Sequence, residues 1–134
     1  MSFEKELNEL KSINEEERLL QEMARVGYLG TLEIYVHTDD SGNIPHFHIW
    51  DRASRGEEFH TCICICDASY FHHTGKENTL NSKQRKSLIE FMNDKYKQDE
   101  NKTNWRHLLE LWNDNNSNVT VSLDLEMPNY LELK

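Results

Sequence analysis

The sequence contains no apolar run approaching the ~18 to 20 residues that a membrane-spanning helix requires. It also lacks a basic start followed by an apolar signal core, so we expect no secretion by that route and a cytoplasmic location. Cations are scarce, because 15 Lys and Arg stand against 24 Asp and Glu and the net charge is −9. A nonspecific nucleic-acid binder must present cations to phosphates, so this class of function is disfavoured.

Several familiar sequence signals are missing as well. The chain has no repeat, no heptad array and no Gly-rich phosphate loop, and at 134 residues it predicts one compact domain. Three cysteines are present, but no Cys-x-x-Cys pair and no zinc-finger spacing. In a cytoplasmic protein we expect these cysteines to be thiols.

Changes in hydrophobic period along the chain predict an α+β fold. We expect an antiparallel β meander packed against two or more helices, with an additional N-terminal helical segment. An apolar stripe at helical spacing that includes Met23 and Val26 assigns residues 1–27 to that segment and 28–134 to the α+β domain. Alternating apolar and polar residues, with turn residues between them, predict the three strands of the meander, at residues 28–37, 44–50 and 59–66.

Capping signals locate the two helices of the domain. Asn81 and Gln84 form a capping box before a helix that reaches about residue 96, and Asn104 is placed to cap a second helix. The apolar pattern of the second helix predicts two core tryptophans, Trp105 and Trp112. The flanking segments are predicted to be a loop and a half-buried strand, at residues 97–103 and 119–126.

Six of the seven histidines fall inside or beside the predicted meander. Residues two apart on a strand share a face, so one strand presents a histidine pair and its neighbour presents a histidine in line with three cysteines. If these faces pair, the donors approach the ~2.0 to 2.3 Å distances of a tetrahedral zinc site. We therefore predict zinc or another divalent transition metal, with the candidate ligands His46, His48, His60, Cys62 and Cys64.

The same histidines and cysteines also fit a domain that binds no metal. The cysteines can act as small buried apolar groups while Ile63 and Ile65 cover the opposite face. The histidine pair can lie on a solvated sheet face while Phe47 and Ile49 face the core. Trp50 has the same strand parity as the pair, and it either shelters a small ligand or packs under a loop.

The segment Ile44-Pro45-His46-Phe47-His48-Ile49 resembles the Pro-His-Phe-His core of the small bacterial proteins called domain of unknown function 4160. The similarity extends over residues 37–113, through a Gly- and Leu-containing approach to a helix and a helix that carries Trp and Leu. The resemblance implies a compact bacterial or mobile-element protein, associated with toxin-antitoxin-like genes, with no settled enzymatic activity. It marks His46 and His48 as candidate functional residues.

Two functions from different classes follow as hypotheses, and the sequence assigns no catalytic residue that would decide whether the protein is an enzyme. The first is a small acidic protein-binding or regulatory module, associated with a phage, mobile element or toxin-antitoxin pair, which engages a basic protein surface through acidic residues such as 15–17. The alternative is a metal-dependent hydrolase or nuclease-like enzyme in which His46 and His48, with His60 or Asp67, hold a metal that activates water. In a third hypothesis, Cys62 and Cys64 join the histidines in a purely structural metal site.

Overall fold

The computed structural model describes residues 23–38, 44–72 and 75–134, and in this part of the chain a four-stranded antiparallel sheet packs against two helices. The strands are adjacent in chain order: β1 Met23–Leu29, β2 Leu32–His37, β3 His46–Asp51 and β4 His60–Cys64. The helices are α1 Ser82–Asn93 and α2 Asn104–Asn115; a small hairpin, β5 Lys95–Tyr96 and β6 Asp99–Thr103, lies between them, and a 3-10 turn at Tyr130–Glu132 follows. The predicted α+β class and antiparallel meander are confirmed. None of the helices in the described ranges is long and apolar enough to cross a membrane.

The start of the sheet corrects the predicted boundary of the N-terminal segment. Residues 1–22, which hold most of the predicted helical segment and the acidic residues 15–17, lie outside the described residues. Met23 and Val26, assigned to the helical stripe, lie instead in β1, which pairs with β2 along its length. A bulge between Arg25 and Gly27 interrupts the strand alternation, so the apolar residues of β1 acquire a spacing that resembles a helix.

The predicted first strand is in fact parts of two strands. The chain reverses at Gly30, whose φ of 64° lies in the left-handed region that glycine adopts without a steric penalty. This turn separates β1 from β2, so the meander has four strands in place of the predicted three.

One face of the sheet and the two helices enclose the apolar core. The predicted inward-facing residues of β3 and β4, Phe47, Ile49 and Ile63, are fully buried there, and so is Ile65 after β4. The helices contribute a larger set of buried side chains, Leu88, Met92, Trp105, Leu108, Leu109 and Trp112. The two tryptophans thus lie in the core, as predicted.

Hydrogen bonds at the helix ends confirm one capping prediction and correct the other. The Asn81 side chain accepts from the Gln84 backbone amide and the Gln84 side chain accepts from that of Asn81, which completes the capping box. The helix ends at Asn93 and not near residue 96, because the following residues pair in the β5–β6 hairpin. The cap of α2 is Thr103, and Asn104 is the first helical residue, whose Nδ2 donates to the Phe91 carbonyl at 2.7 Å.

The predicted strand at residues 119–126 is wrong. Side chains of α2, and not a neighbouring strand, hold the backbone of this segment: Trp112 Nε1 donates to the Val119 carbonyl and Trp105 Nε1 to the Leu125 carbonyl, both at 2.7 Å. Asn113 donates to the Val121 carbonyl and accepts from its amide. The alternating pattern therefore marks an irregular segment lying along a helix.

Candidate metal centre

The second face of the sheet, opposite Phe47, Ile49 and Ile63, carries the predicted ligands His46, His48, His60, Cys62 and Cys64. The register of β2, β3 and β4 places Tyr35 opposite His48 and His48 opposite Cys62, so these three side chains form one row across the sheet. The next row contains Glu33, Trp50 and His60. The predicted strand parity thus brings histidines of β3 and donors of β4 to one face.

Three of the predicted ligands form a compact triangle. His48 Nδ1 lies 3.1 Å from His60 Nε2 and 3.2 Å from Cys62 Sγ, and Cys62 Sγ lies 3.6 Å from His60 Nε2. Within the described residues this is the group of ligand atoms close enough to one another to hold a metal ion. Cys62 is fully buried, His48 is 5% exposed, and His60 is half-buried.

Ring stacking holds His48 in place within this triangle. Its imidazole lies between the Tyr35 ring, at 4.7 Å between centroids and 10° between planes, and the His60 ring, at 5.3 Å and 7°. Stacked rings on both faces restrict rotation about the side-chain bonds of His48. The position of its Nδ1 is therefore set by packing.

His46 lies in a separate environment beside the triangle. It is fully buried, its ring stacks on Phe71 at 4.2 Å, and its Nδ1 is 2.7 Å from the Ile44 carbonyl oxygen. A carbonyl oxygen can only accept, so His46 Nδ1 donates and carries the proton. The alternative in which His46 and His48 lie on a solvated face is wrong, because both are buried.

Cys64 lies opposite His46 and is also outside the triangle. Its thiol is nearly buried beside Ser69 and Asp67, and burial raises the pKa of the Cys64 thiol above its ordinary value. Asp67, the proposed carboxylate of the hydrolase hypothesis, is exposed and accepts a hydrogen bond from the Ser69 hydroxyl. All three cysteines are free thiols, as predicted.

A buried carboxylate beside the triangle was not predicted from the sequence. Glu33 is 2% exposed and accepts from Trp50 Nε1 at 2.9 Å, from Arg25 Nε at 2.7 Å and from Arg52 Nη1 at 3.3 Å. The available signal was its strand parity, which places Glu33 on the same face as Tyr35. Trp50 packs under the loop after β3, close to Gly56. Of its two predicted roles, packing under a loop is therefore the one observed.

The triangle has the donor chemistry of a transition-metal site. Two imidazole nitrogens and a thiolate sulfur are ligands that zinc accepts. With Zn–N of about 2.0–2.1 Å and Zn–S of about 2.3 Å, tetrahedral geometry places two nitrogens about 3.3–3.4 Å apart and a nitrogen and a sulfur about 3.6 Å apart. The observed separations of 3.1, 3.2 and 3.6 Å lie close to these values, so the His48–His60–Cys62 group could hold a metal ion.

No family model, curated protein or solved structure matches this chain, so the resemblance to the Pro-His-Phe-His family stays a prediction.

Proposed function

We propose that the protein is a metal-binding protein whose site for zinc consists of His48, His60 and Cys62. The observation that carries the proposal is the triangle of three donor atoms, whose edges of 3.1 to 3.6 Å are equal to or slightly shorter than those of a tetrahedral ligand set. His48 Nδ1 offers either one proton or one lone pair, and a single hydrogen bond serves one neighbour. One metal ion would take all three donor atoms as ligands together.

The donor set also bears on what the metal would do. Three protein ligands leave the fourth position of a tetrahedron for water, which is the arrangement of hydrolytic zinc sites. A zinc-bound water ionises near neutral pH and becomes a nucleophile. This supports the metal-dependent hydrolase or nuclease-like hypothesis, with the triangle in place of the predicted set that included His46 and Asp67.

The direct test is metal content in protein purified without a histidine tag. We expect about one zinc per chain in the native protein, because the three donor atoms lie within 3.6 Å of one another. His48→Ala, His60→Ala and Cys62→Ser should each lose most of the zinc. Cys66→Ser and His72→Gln are matched controls at exposed positions and should retain it.

Two further variants address the predicted ligands outside the triangle. His46→Ala and Cys64→Ser should keep the metal if the three-residue site is correct. If either variant loses the metal, the substituted residue is a further ligand. Folded native protein that takes up no zinc, cobalt or nickel on titration would refute the metal site. Hydrolysis of a model phosphodiester by the zinc-loaded protein, absent in Cys62→Ser, would support the enzyme.

An acidic protein-binding or regulatory module in the cytoplasm is the second candidate function. The net charge of −9 favours it, because opposite charge accelerates encounter with a basic surface. Capture of a basic host protein should weaken steeply with salt and with charge reversal at residues 15–17. If neither salt nor charge reversal weakens the capture, the protein does not bind its partner through these acidic residues.

A further inference from the structure

A cleft of about 420 Å³ lies on the opposite edge of the sheet from β4. Its walls are β1, the C-terminal end of α1 and the β5–β6 hairpin, and it shares no residue with the candidate metal centre. This volume falls within the roughly 300–1,000 Å³ of small-molecule sites. The cleft is therefore large enough for a ligand of its own.

The charge of the cleft has the opposite sign to that of the whole chain. Three cations line it, Arg25, Lys95 and Lys97, against one carboxylate, Asp94. Arg25 gives only its Nε to Glu33 and is 48% exposed along its side chain, so its guanidinium keeps donors for another group. Because Arg25 is paired with Glu33, the excess is about one positive charge, and in a chain of net charge −9 this local excess favours an anionic ligand.

Aromatic rings lie beside these cations. Tyr28 is 47% exposed, and the Arg25 guanidinium carbon lies 4.9 Å from its ring centroid. Tyr96 also lines the cleft, and its ring stacks on His107 at 3.8 Å between centroids. An exposed ring beside a cation and a second ring fixed by stacking are suited to a planar group.

Close packing between β1 and α1 forms the floor of the cleft. The Phe91 ring lies directly on the backbone of Gly27, where a Cβ atom would overlap it. Asn104 closes this side and is anchored by the bond from its Nδ2 to the Phe91 carbonyl. The floor is thus fixed by contacts between two elements of the core.

We propose that this cleft binds a nucleoside monophosphate. The phosphate meets Arg25, Lys95 and Lys97, and the base stacks on the exposed ring of Tyr28. A single nucleotide carries one phosphate, which the few cations of one cleft can bind. A nucleic-acid strand carries many phosphates, and a chain of net charge −9 repels it. The proposal does not depend on the metal site.

The test is calorimetric titration of the full chain with adenosine monophosphate, with inorganic phosphate and adenosine as separate probes. The nucleotide should bind at least about tenfold more tightly than either part, because base stacking and the phosphate contacts add. Tyr28→Ala and Lys97→Gln should each weaken it by about tenfold, whereas Tyr28→Phe, which keeps the ring, should bind as the native protein does. Lys86→Gln is the charge-matched control, because Lys86 is an exposed residue of α1 that does not line the cleft.

Three results would overturn the proposal. The first is the absence of any heat of binding with millimolar adenosine, guanosine, cytidine or uridine monophosphate. The second is binding of inorganic phosphate as tight as that of the nucleotide. The third is an affinity of Tyr28→Ala and Lys97→Gln for the nucleotide equal to that of the native protein. Unchanged unfolding midpoints show that these surface variants fold. His48→Ala, folded and free of metal, should bind the nucleotide as the native protein does, so the two proposals succeed or fail separately.

Discussion

Cys62 and Cys66 lie four residues apart and occupy opposite environments. Cys62 is fully buried within the triangle, and Cys66 is exposed just after the sheet. Alkylating reagents attack the thiolate of an accessible cysteine. Accessibility therefore distinguishes two residues that the sequence presents as members of one row.

We expect iodoacetamide to modify Cys66 first in the native protein, with Cys62 unreactive until the chain is unfolded in urea. Partial burial and the nearby Asp67 raise the pKa of the Cys66 thiol, so its reaction should be slow at neutral pH and faster as the pH rises through 9. Mass spectrometry of peptides after timed labelling measures both effects. Labelling of Cys62 at the rate of Cys66 would contradict the burial of the triangle.

Glu33 provides a second prediction at this scale, because one buried carboxylate serves an indole and two guanidinium groups. Glu33→Ala should lower the free energy of unfolding by about 1–3 kcal/mol, since the Trp50 N–H loses its acceptor inside the protein. Glu33→Gln keeps an oxygen for Trp50 and should lose less. Urea unfolding measures the difference, with Glu90→Ala on an exposed face of α1 as control.

The result would be informative in either direction. Equal stability of Glu33→Ala and Glu90→Ala would mean that the Trp50 hydrogen bond contributes nothing net. A large loss in Glu33→Gln as well would assign the stabilisation to the charge, and so to Arg25 and Arg52.

Among the elements, those with a local signal were predictable from the sequence. The Asn81–Gln84 capping box acts within one turn and located the start of α1. The strand at residues 119–126 failed because alternation reports only a half-buried extended chain. Its actual partners are side chains of α2, a long-range arrangement that local sequence does not encode.

The candidate site was predictable in part for the same reason. Strand parity placed His48 on one face of β3, and His60 and Cys62 together on one face of β4. The structure pairs these strands so that the three side chains lie on the same face of the sheet. Which donors converge depends on register and on side-chain rotation, which remove His46 and Cys64 from the group. Glu33 was missed because its partners lie on two other segments, β1 and the end of β3, which only the folded sheet brings together.

The start of α2 carries a prediction about pH, at His107. This side chain stacks on Tyr96, and its Nδ1 is buried without a hydrogen-bond partner among the described residues. Burial, and next the charge of Lys102, lower the pKa of His107 below its ordinary 6.5. The unfolded chain thus binds a proton at a higher pH than the folded protein does, so stability falls as the pH drops through 6.5 and levels off below the folded-state pKa.

We expect His107→Phe, which keeps a ring against Tyr96, to lose less stability than the native protein between about pH 7 and pH 5. Urea unfolding at both pH values measures the change in the free energy of unfolding. Groups that titrate alike in both proteins contribute equally, so their contribution cancels when the two changes are subtracted. A parallel fall in native and His107→Phe protein would show that the buried imidazole does not sense pH.

At the scale of the whole molecule, the central strand β3 is buried on both faces. Every residue from His46 to Trp50 is buried, although polar and apolar residues alternate along β3. Antiparallel sheets commonly leave one face in water, which is why alternation predicted a solvated histidine pair. Here the imidazoles of His46 and His48 stack on other rings and pack beside a thiol, so polar side chains are buried on the second face of β3.

This arrangement links metal binding to the stability of the domain. The ligands of the proposed site lie on two neighbouring strands, and unfolding removes the strand pairing that holds His48 beside His60 and Cys62. An ion that binds the folded state alone stabilises it, by about 2.7 kcal/mol when its free concentration is 100 times the dissociation constant. Zinc should therefore raise the midpoint of urea unfolding, and a chelator should lower it.

The comparison that isolates the site uses Cys62→Ser and Cys66→Ser. Cys66→Ser should show the full zinc-dependent shift of the native protein, whereas Cys62→Ser should unfold at one midpoint with zinc or with chelator. Acidification should remove the shift in the native protein, because protons compete with the metal for the histidine and cysteine ligands. If zinc stabilises Cys62→Ser as much as Cys66→Ser, the ion binds elsewhere in the chain, and the triangle is only a buried cluster of hydrogen-bonded side chains.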